Sequence, residues 1–290
     1  MLCEITSRRT VADGVVELEL SGPDLPDWTP GSHVDLHLAP GLVRQYSLCG
    51  PGFRIAVLRE ADGRGGSVFV HDRLAVGDRV EVGGPRNRFP LVPASSYVFV
   101  AGGIGITPIL PMIEATKAAG ADWRLLYGGR SRGSMAYLDR LCGDPRVTVQ
   151  AGGLLDLRAA VDGVPGAEVY GCGPAPMLDA LLEVCPAAHV ERFAPTDVDL
   201  PERPFEAVLE RSGVTVPVPT GTSLLAAVEA VGVDVVQSCR EGTCGTCETV
   251  VLAGEPEHRD SVLDDADRAA GDVMMICVSR ARGPRLVLDL

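Results

Sequence analysis

Four cysteines near the end of the chain have the residue type and the spacing to hold a redox centre. Cys239, Cys244 and Cys247 form a C-x4-C-x2-C run, and Cys277 follows in a short apolar stretch. This is the ligand spacing of a plant-type [2Fe-2S] cluster. The bridging sulfides of such a cluster carry negative charge, and the two glycines of the run let the backbone aim N–H donors at them. The sequence therefore predicts a one-electron carrier.

A zinc site is the competing interpretation, because C-x2-C is also a zinc half-site. Zinc sites usually pair two short units of this kind, whereas here three cysteines share one glycine-rich loop and Cys277 stands apart. The spacing favours the iron-sulfur cluster. Since a cluster moves single electrons, the remaining chain is expected to supply them.

Size, charge and cysteine usage narrow the class of protein. The 290 residues allow two or three domains, and the net charge of −13 argues against nucleic-acid binding. The cysteines outside the cluster set are scattered, which fits a reducing compartment better than disulfides. The chain has no basic-then-apolar start and no uninterrupted apolar run of membrane-spanning length, so we expect a cytoplasmic protein with no membrane partner. A monomer is the default expectation.

The C-terminal residues 205–290 contain 14 acidic and 7 basic residues, a net charge of −7. This excess could steer a basic partner toward the cluster. A solvated acidic surface that aids solubility is the alternative interpretation.

The first ninety residues alternate short apolar strands with Gly, Pro and Asp turns, which predicts a small antiparallel β-barrel. One helix, at 67–74, interrupts it. The predicted strands are 4–9, 15–21, 33–38, 43–46, 54–58 and 79–82.

From residue 96 the pattern changes to strands that alternate with helical segments, which requires a parallel sheet with helical crossovers. The predicted strands are 97–101, 124–128, 146–150, 168–172 and 189–193, and the predicted helices are 108–119, 134–141, 154–161 and 174–184. A proline-rich stretch without apolar period predicts a stiff linker. A hairpin at 205–210 and 214–219 and a helix at 223–231 then begin a third unit. The predicted domains are 1–93 and 94–195, a linker at 196–204, and 205–290.

Two motifs in the barrel suit a flavin. They are Arg44, Gln45, Tyr46 and Ser47 on a strand, and Arg64, Gly65, Gly66 and Ser67 at a helix start. A flavin needs a flat platform for its ring and an anion site for its phosphate, and a glycine-rich helix N-terminus supplies the second. We expect Tyr46 and Ser47 at the ring, and Arg44 with the amides of 65–67 at the phosphate. Taken singly, each motif is also an ordinary strand or turn.

Two glycine turns in the α/β region suit a dinucleotide. The first contains Gly102, Gly103, Gly105, Thr107 and Pro108, and the second contains Cys172, Gly173 and Pro174. Both follow parallel strands at their carboxyl ends, where open α/β sheets bind ligands. Because Pro108 replaces the last glycine of G-x-G-x-x-G, a Rossmann dehydrogenase is disfavoured. Alternatively, the first turn is a tight turn that binds no ligand. Cys172 could lie beside a nicotinamide ring, and the alternative is that it is only a small buried residue.

The next strand ends near Arg130 and Ser131 without an acid that would bind a ribose 2′-hydroxyl. Arg130 and Arg132 could equally pair a 2′-phosphate. The residues therefore leave NADH and NADPH both open.

The order of these motifs over nearly the full length resembles the phthalate dioxygenase reductase family, which includes vanillate demethylase reductases. The motifs that carry the resemblance are Arg44-Gln45-Tyr46-Ser47, Arg64-Gly65-Gly66-Ser67, the two glycine turns, Glu191-Arg192-Phe193, the cysteine run, His258-Arg259-Asp260, Cys277-Val278-Ser279-Arg280 and residues 286–290. The resemblance implies a flavin barrel, a pyridine-nucleotide domain and a C-terminal β-grasp ferredoxin domain.

The resemblance also implies cofactors and roles. The pair His71-Asp72 belongs to members that bind FMN rather than FAD, and the usual donor is NADH. Ala56, Val57 and Leu58 are expected to edge the flavin, although related chains can carry lysine at Leu58. The residues expected at the reacting rings are Ser47, Thr107, Cys172 and Phe193, with Phe193 covering the nicotinamide face.

A Rieske-type oxygenase is the expected electron acceptor, and a cytochrome P450 is the alternative. Two rival functions stay open. One is an electron-transfer or regulatory subunit that holds flavin and cluster but oxidises no pyridine nucleotide. Dihydroorotate dehydrogenase has subunits of this kind, but in them the fourth cysteine lies closer to the third than Cys277 lies to Cys247 in this chain. The other is a stand-alone reductase of small acceptors, for which the C-terminal unit would be superfluous.

Overall fold

The computed structural model describes residues 1–195 and 200–290, which form two compact units, 1–191 and 192–290. Residues 196–199 of the predicted linker lie outside the described residues. In the two described ranges, no helix combines the length and the apolar character that crossing a membrane requires.

The first unit begins with a six-stranded antiparallel sheet whose strand order is β4-β3-β6-β1-β2-β5. Its strands are β1 (Leu2–Ala12), β2 (Val15–Ser21), β3 (Ser32–Ala39), β4 (Leu42–Ser47), β5 (Phe53–Leu58) and β6 (Arg79–Asn87). A bridge between Leu48 and Ile55 brings the two edge strands together. Helix α1 (Gly66–Arg73) follows β5, so that both predicted flavin motifs belong to this sheet and its helix.

The second part of the first unit is a five-stranded parallel sheet in the order β11-β10-β7-β8-β9. Its elements are β7 (Ser96–Gly102), α2 (Ile106–Ala118), β8 (Asp122–Gly129), α3 (Leu138–Leu141), β9 (Val147–Ala151), α4 (Leu157–Asp162), β10 (Glu168–Cys172), α5 (Ala175–Val184) and β11 (His189–Glu191). The predicted alternation of strand and helix is confirmed, because β10 and β7 are neighbours and run parallel.

The predicted helix at 134–141 is wrong over most of its length. A 3₁₀ turn at Arg132–Ser134 is followed by irregular chain and by the single turn of α3. Tyr137 has a φ of 60°, which ends helical geometry. Its hydroxyl donates to the buried Glu17 carboxylate at 2.8 Å and lies 3.3 Å from Cys49 Sγ. Burial of this ring against the antiparallel sheet therefore overrides the helical period.

The second unit contains a mixed five-stranded sheet in the order β13-β12-β18-β14-β16. The elements of this unit are β12 (Phe205–Leu209), β13 (Val214–Val218), α6 (Leu224–Ala230), β14 (Glu248–Ala253), β15 (Pro256–Glu257), α7 (Asp265–Ala270), β16 (Val273–Met275), β17 (Arg280–Ala281) and β18 (Arg285–Leu288). Strands β15 and β17 form a separate two-stranded antiparallel sheet. Strands β12 and β18 pair in parallel, and the other pairs are antiparallel. The expected three-part fold class is confirmed.

The buried side chain of Arg280 holds residues near the start of the second unit against this sheet. Arg280 has a side chain only 4% exposed, and it donates to the backbone carbonyls of Arg203, Pro219 and Thr222 at 2.8–3.1 Å. Glu202 lies 3.8 Å from the same guanidinium. The described end of the predicted linker is therefore fixed to the C-terminal unit.

Candidate functional site

The predicted cluster ligands lie together in the second unit. Cys239, Cys244 and Cys247 belong to the loop between α6 and β14, and Cys277 follows β16; all four are at most 8% exposed. We call residues 239–247 the cysteine loop. Gly242 and Gly245 both have a φ of 71°, a left-handed conformation that glycine adopts without steric cost. The loop can therefore turn its amides toward its own sulfurs.

Hydrogen-bond donors surround two of these sulfurs. The backbone N–H groups of Glu241 and Thr243 lie 3.3 and 3.4 Å from Cys239 Sγ. Cys244 Sγ accepts from the Cys239 N–H at 3.5 Å and lies 3.1 Å from Thr246 Oγ1. Hydrogen bonds from the Cys244 and Cys277 thiols, and from Thr243, lower the pKa of Cys239.

This donor set fits a cluster. Buried thiolates with N–H donors aimed at sulfur are what a [2Fe-2S] centre requires. In residues 1–195 and 200–290, no group of three or more His, Cys, Asp or Glu side chains is arranged for a metal ion. A two-iron cluster spreads its four ligands over two metal atoms.

The back of the cysteine loop is packed against the segment that follows β15 and against the residue after Cys277. A Cβ placed on Gly242 would lie 2.6 Å from Val278 Cγ2 and 2.9 Å from the Asp260 Cα. The Ser261 N–H donates to the Gly242 carbonyl at 2.8 Å. Gly242 is thus required by close approach as well as by its φ.

The predicted phosphate residues of the flavin site are in contact. The Arg44 side chain crosses the first turn of α1, where a Cβ on Gly66 would lie 2.4 Å from Arg44 Cγ. The guanidinium donates to the carbonyl of Arg64 at 2.6 Å, and Gly65 has a φ of 81° just before the helix. A cation beside a glycine-rich helix start is a suitable place for a phosphate. Ser67 is turned to Glu60, where its Oγ accepts from the backbone N–H.

The predicted ring residues lie on β4. Ser47 is buried, and among the described residues its Oγ has no hydrogen-bond partner. An unpaired buried hydroxyl is uncommon and fits a polar ligand atom. Burial raises the pKa of the Tyr46 phenol. Gln45 is used structurally, because its amide donates to the buried Asp35 carboxylate at 2.8 Å.

The predicted flavin edge is β5. Ala56 and Val57 are buried, and Leu58 is half-buried. The Val57 carbonyl lies 2.9 Å from His71 Nε2, which connects β5 to α1. The neighbouring Asp72 pairs with Arg59 at 2.5 Å. The His-Asp pair therefore joins the edge strand to the helix whose start carries the phosphate residues.

The two glycine turns lie against each other at the carboxyl ends of β7 and β10. A Cβ on Gly102 would lie 2.6 Å from Pro174 Cδ, and one on Gly105 would lie 2.2 Å from the Cys172 carbonyl oxygen. A Cβ on Gly173 would lie 2.9 Å from Gly102 Cα. Close packing of the two turns thus requires glycine there, in addition to any ligand.

Other predicted nucleotide residues have mixed surroundings. Thr107 and Pro108 are buried in the first turn of α2, and Thr107 Oγ1 donates to the Ile104 carbonyl at 2.9 Å. Cys172 is buried beside Glu191, and Sγ donates to Oε2 at 3.9 Å. Arg130 and Ser131 are exposed.

Ser131 caps the 3₁₀ turn, where its side chain accepts from the Ser134 N–H at 3.2 Å. Phe193 belongs to the second unit and is 42% exposed.

Glu191, which is half-buried, and the buried pair Asp260 and Ser279 were given no role by the sequence motifs. Burial raises the pKa of Glu191 to about 8. Asp260 and Ser279 lie behind the cysteine loop, where the Ser279 hydroxyl donates to Asp260 Oδ1 at 3.3 Å. The signals available in the sequence were the Glu191-Arg192-Phe193 motif in the first case and the His258-Arg259-Asp260 motif in the second.

The chain is similar to proteins of known family. Residues 207–282 match the 2Fe-2S iron-sulfur cluster binding domain family. The chain is 44% identical to the phenoxybenzoate dioxygenase subunit beta of Ectopseudomonas oleovorans, over 96% of this chain and 94% of that protein.

Several solved structures are similar over 100% of this chain, among them two of different kinds. The crystal structure of phthalate dioxygenase reductase, described as modular for electron transfer from pyridine nucleotides to [2Fe-2S], has 35% identity and a TM-score of 0.71, with 98% of that chain covered. An intact type IV self-sufficient cytochrome P450 monooxygenase has 43% identity and a TM-score of 0.92. The present chain spans 41% of that P450 chain.

Proposed function

The chain belongs to the phthalate dioxygenase reductase-like family of oxygenase reductases with a C-terminal 2Fe-2S ferredoxin domain, and we propose that it carries electrons from NADH through FMN and the cluster to a partner oxygenase. It is an oxidoreductase. The observation that carries the proposal is the cysteine loop, whose buried sulfurs already receive backbone N–H donors. A reductase of small acceptors has no use for such a loop.

When bound, FMN would supply the chemistry that no side chain supplies, which is acceptance of a hydride and release of its electrons one at a time. The chain's own task is to bind and orient. We assign the FMN phosphate to Arg44 and the amides of residues 65–67, which the crossing of Arg44 over the start of α1 supports. We assign a ring hydrogen bond to the unpaired Ser47 hydroxyl and the ring edge to residues 56–58.

We assign the pyrophosphate of NADH to the paired glycine turns, Gly102, Gly103 and Gly105 with Gly173. Their position at the carboxyl ends of adjacent parallel strands supports this assignment. We assign the nicotinamide to the ends of the same two strands, where Thr107 and Cys172 lie beside Pro108 and Pro174 at the starts of the helices. These side chains orient the ring and exclude water, and none has to move a proton for hydride transfer.

NADH is the proposed donor, and NADPH is the alternative. Arg130 and Ser131 are exposed after β8, where the adenosine ribose of a bound nucleotide is expected. Initial rates with NADH and NADPH decide between them. A higher kcat/KM with NADPH, lost in R130A, would reverse the assignment.

The proposed acceptor is a separate oxygenase, of the Rieske type or a cytochrome P450. Relatives named as dioxygenase and monooxygenase components and the P450 fusion support both classes. The net charge of −7 over residues 205–290 favours a basic docking face on the acceptor. We further propose a monomer in the cytoplasm; the nine cysteines, all in described residues and free, support a reducing compartment.

Anaerobic mixing of the purified protein with NADH tests the function. We expect flavin bands overlaid by iron-sulfur absorbance, iron and acid-labile sulfide in equal amounts, and bleaching of both chromophores. Protein that stays oxidised although it contains flavin and cluster would support the electron-transfer-subunit alternative. A colourless preparation that contains zinc would overturn the assignment of the cysteine loop.

A further inference from the structure

A buried carboxylate lies behind the cysteine loop. Asp260 is 2% exposed, and its Oδ2 accepts hydrogen bonds from the backbone N–H groups of Val262 at 3.0 Å and Leu263 at 2.9 Å. The guanidinium of Arg268 lies 3.6 Å from the same oxygen. The acceptor positions of this buried side chain are therefore occupied by donors from its own segment and from α7.

The segment of Asp260 contacts the cysteine loop on one side. The neighbouring Ser261 N–H donates to the Gly242 carbonyl at 2.8 Å. A Cβ on Gly242 would lie 2.9 Å from the Asp260 Cα. The middle of the cysteine loop is therefore packed on this segment and hydrogen-bonded to it.

The same carboxylate contacts the segment of the fourth cysteine on the other side. Ser279, two residues after Cys277, is fully buried, and its hydroxyl donates to Asp260 Oδ1 at 3.3 Å. The hydroxyl also accepts from the Arg259 N–H at 3.1 Å. Residues 259–261 thus connect the loop that holds three cysteines to the strand end that holds the fourth.

Arg268 and His258 face the Asp260 carboxylate. The Asp260 side chain is 0% exposed, whereas the Arg268 side chain is 32% exposed and also donates to the carbonyls of Asp260 and Leu263. His258 Nδ1 lies 3.8 Å from Asp260 Oδ1. Reduction adds one negative charge to a cluster, so a nearby buried carboxylate opposes it.

We propose that Asp260 is a positioning residue of the iron-sulfur centre: it clamps the cysteine loop to the Cys277 segment, and its negative charge lowers the reduction potential of the cluster. The proposal rests on the cluster assigned above. It does not depend on which nucleotide or which acceptor the protein uses. It gives a role to Asp260, the last residue of the His-Arg-Asp motif.

The test compares D260N with D264N in the full-length protein. Asparagine keeps the shape of Asp260 and removes its charge. Asp264 lies four residues further along the chain, where it is the exposed N-cap of α7. Asparagine caps a helix about as well as aspartate does. D264N therefore removes one negative charge and leaves the contacts of Asp260 unchanged. The midpoint potential is measured by titration with a chemical reductant and mediators, so that the result is independent of NADH oxidation.

A unit charge about 10 Å away, at an effective dielectric constant near 20, changes a one-electron equilibrium by roughly tenfold. We therefore expect the midpoint of D260N to rise by about 59 mV, which corresponds to tenfold for one electron. D264N is expected to match the wild type. Equal midpoints in all three proteins would overturn the electrostatic part of the proposal.

S279A tests the clamp while the charge of Asp260 is kept. We expect S279A and D260N to release iron to a chelator several times faster than D264N, with unchanged flavin content and an altered electron paramagnetic resonance spectrum of the reduced cluster. If D260N is isolated without iron, S279A decides the matter. Wild-type iron release in S279A would contradict the clamp, whereas a wild type that contains no cluster would refute the proposed function itself.

Discussion

The conformation of Gly242 gives the sharpest stability prediction, for the G242A variant. Its φ of 71° costs a residue with a Cβ about 1–2 kcal/mol. The new methyl group would also lie 2.6 Å from Val278 Cγ2 and 2.9 Å from the backbone of Asp260, so the packing must shift. Overpacking of this kind costs about 1–3 kcal/mol. The two contributions together predict that the free energy of unfolding of G242A is about 2–5 kcal/mol lower than that of the wild type.

Gly232 provides the matched control. It lies in the same unit with a φ of 79°, and a Cβ there would meet no atom within 4 Å. G232A therefore carries the conformational cost without the clash. The difference between the two variants, about 1–3 kcal/mol, isolates the contact with the Asp260 segment.

Urea titration followed by the visible circular dichroism of the cluster measures this difference. With a urea dependence near 2 kcal/mol/M, we expect the midpoint of G242A to lie about 1 M below that of G232A. Iron content relative to flavin should fall in G242A only. Equal midpoints for the two variants would refute the reasoning, because they would mean that the close approach behind the loop does not exist.

Three further changes have defined outcomes. Burial raises the pKa of Glu191 to about 8, so the folded state keeps a proton that the unfolded chain releases near 4.5. The free energy of unfolding should therefore fall as pH rises from about 5 to 8. Urea titrations at several pH values should show a weaker pH dependence for E191Q, and an unchanged pH dependence would contradict the raised pKa of Glu191. R280M removes three buried hydrogen bonds and should lower the free energy of unfolding by about 3 kcal/mol or more. R282M, which removes the exposed ion pair of Arg282 with Glu255, should lower it by less than about 1 kcal/mol. R44A should weaken FMN binding at least tenfold in fluorescence titrations, and R73A, at the other end of α1, should not; equal affinities would place the phosphate elsewhere.

Features that depend on local spacing could be predicted from the sequence. The cysteine run fixes its own geometry within nine residues, so the loop and its donors followed directly from residue types. The alternation of strand and helix after residue 96 likewise predicted the parallel sheet. The location of both glycine turns at the carboxyl ends of parallel strands was predicted as well, and the structure adds the close contact of Gly102 with Pro174.

Features that depend on distant partners could not be predicted. Tyr137 looked helical, but its hydroxyl bonds to Glu17, 120 residues earlier, and this contact sets the local backbone. The clamp at Asp260 depends on which turn of the fold meets Gly242, and no periodicity reports that. Glu191 was visible as part of a motif, yet its position beside Cys172 comes from the pairing of β10 with β11.

The central claim is that electrons enter as a pair at the nucleotide and leave singly through the four cysteines. Anaerobic titration with NADH, followed by absorbance and by electron paramagnetic resonance, tests it most directly in two samples, the native protein and the same protein stripped of flavin. We predict that NADH reduces the cluster in the native protein and leaves it oxidised in the stripped protein, with recovery when FMN is added back. A cluster that NADH reduces equally well without flavin, or never reduces in the native protein, would contradict the account.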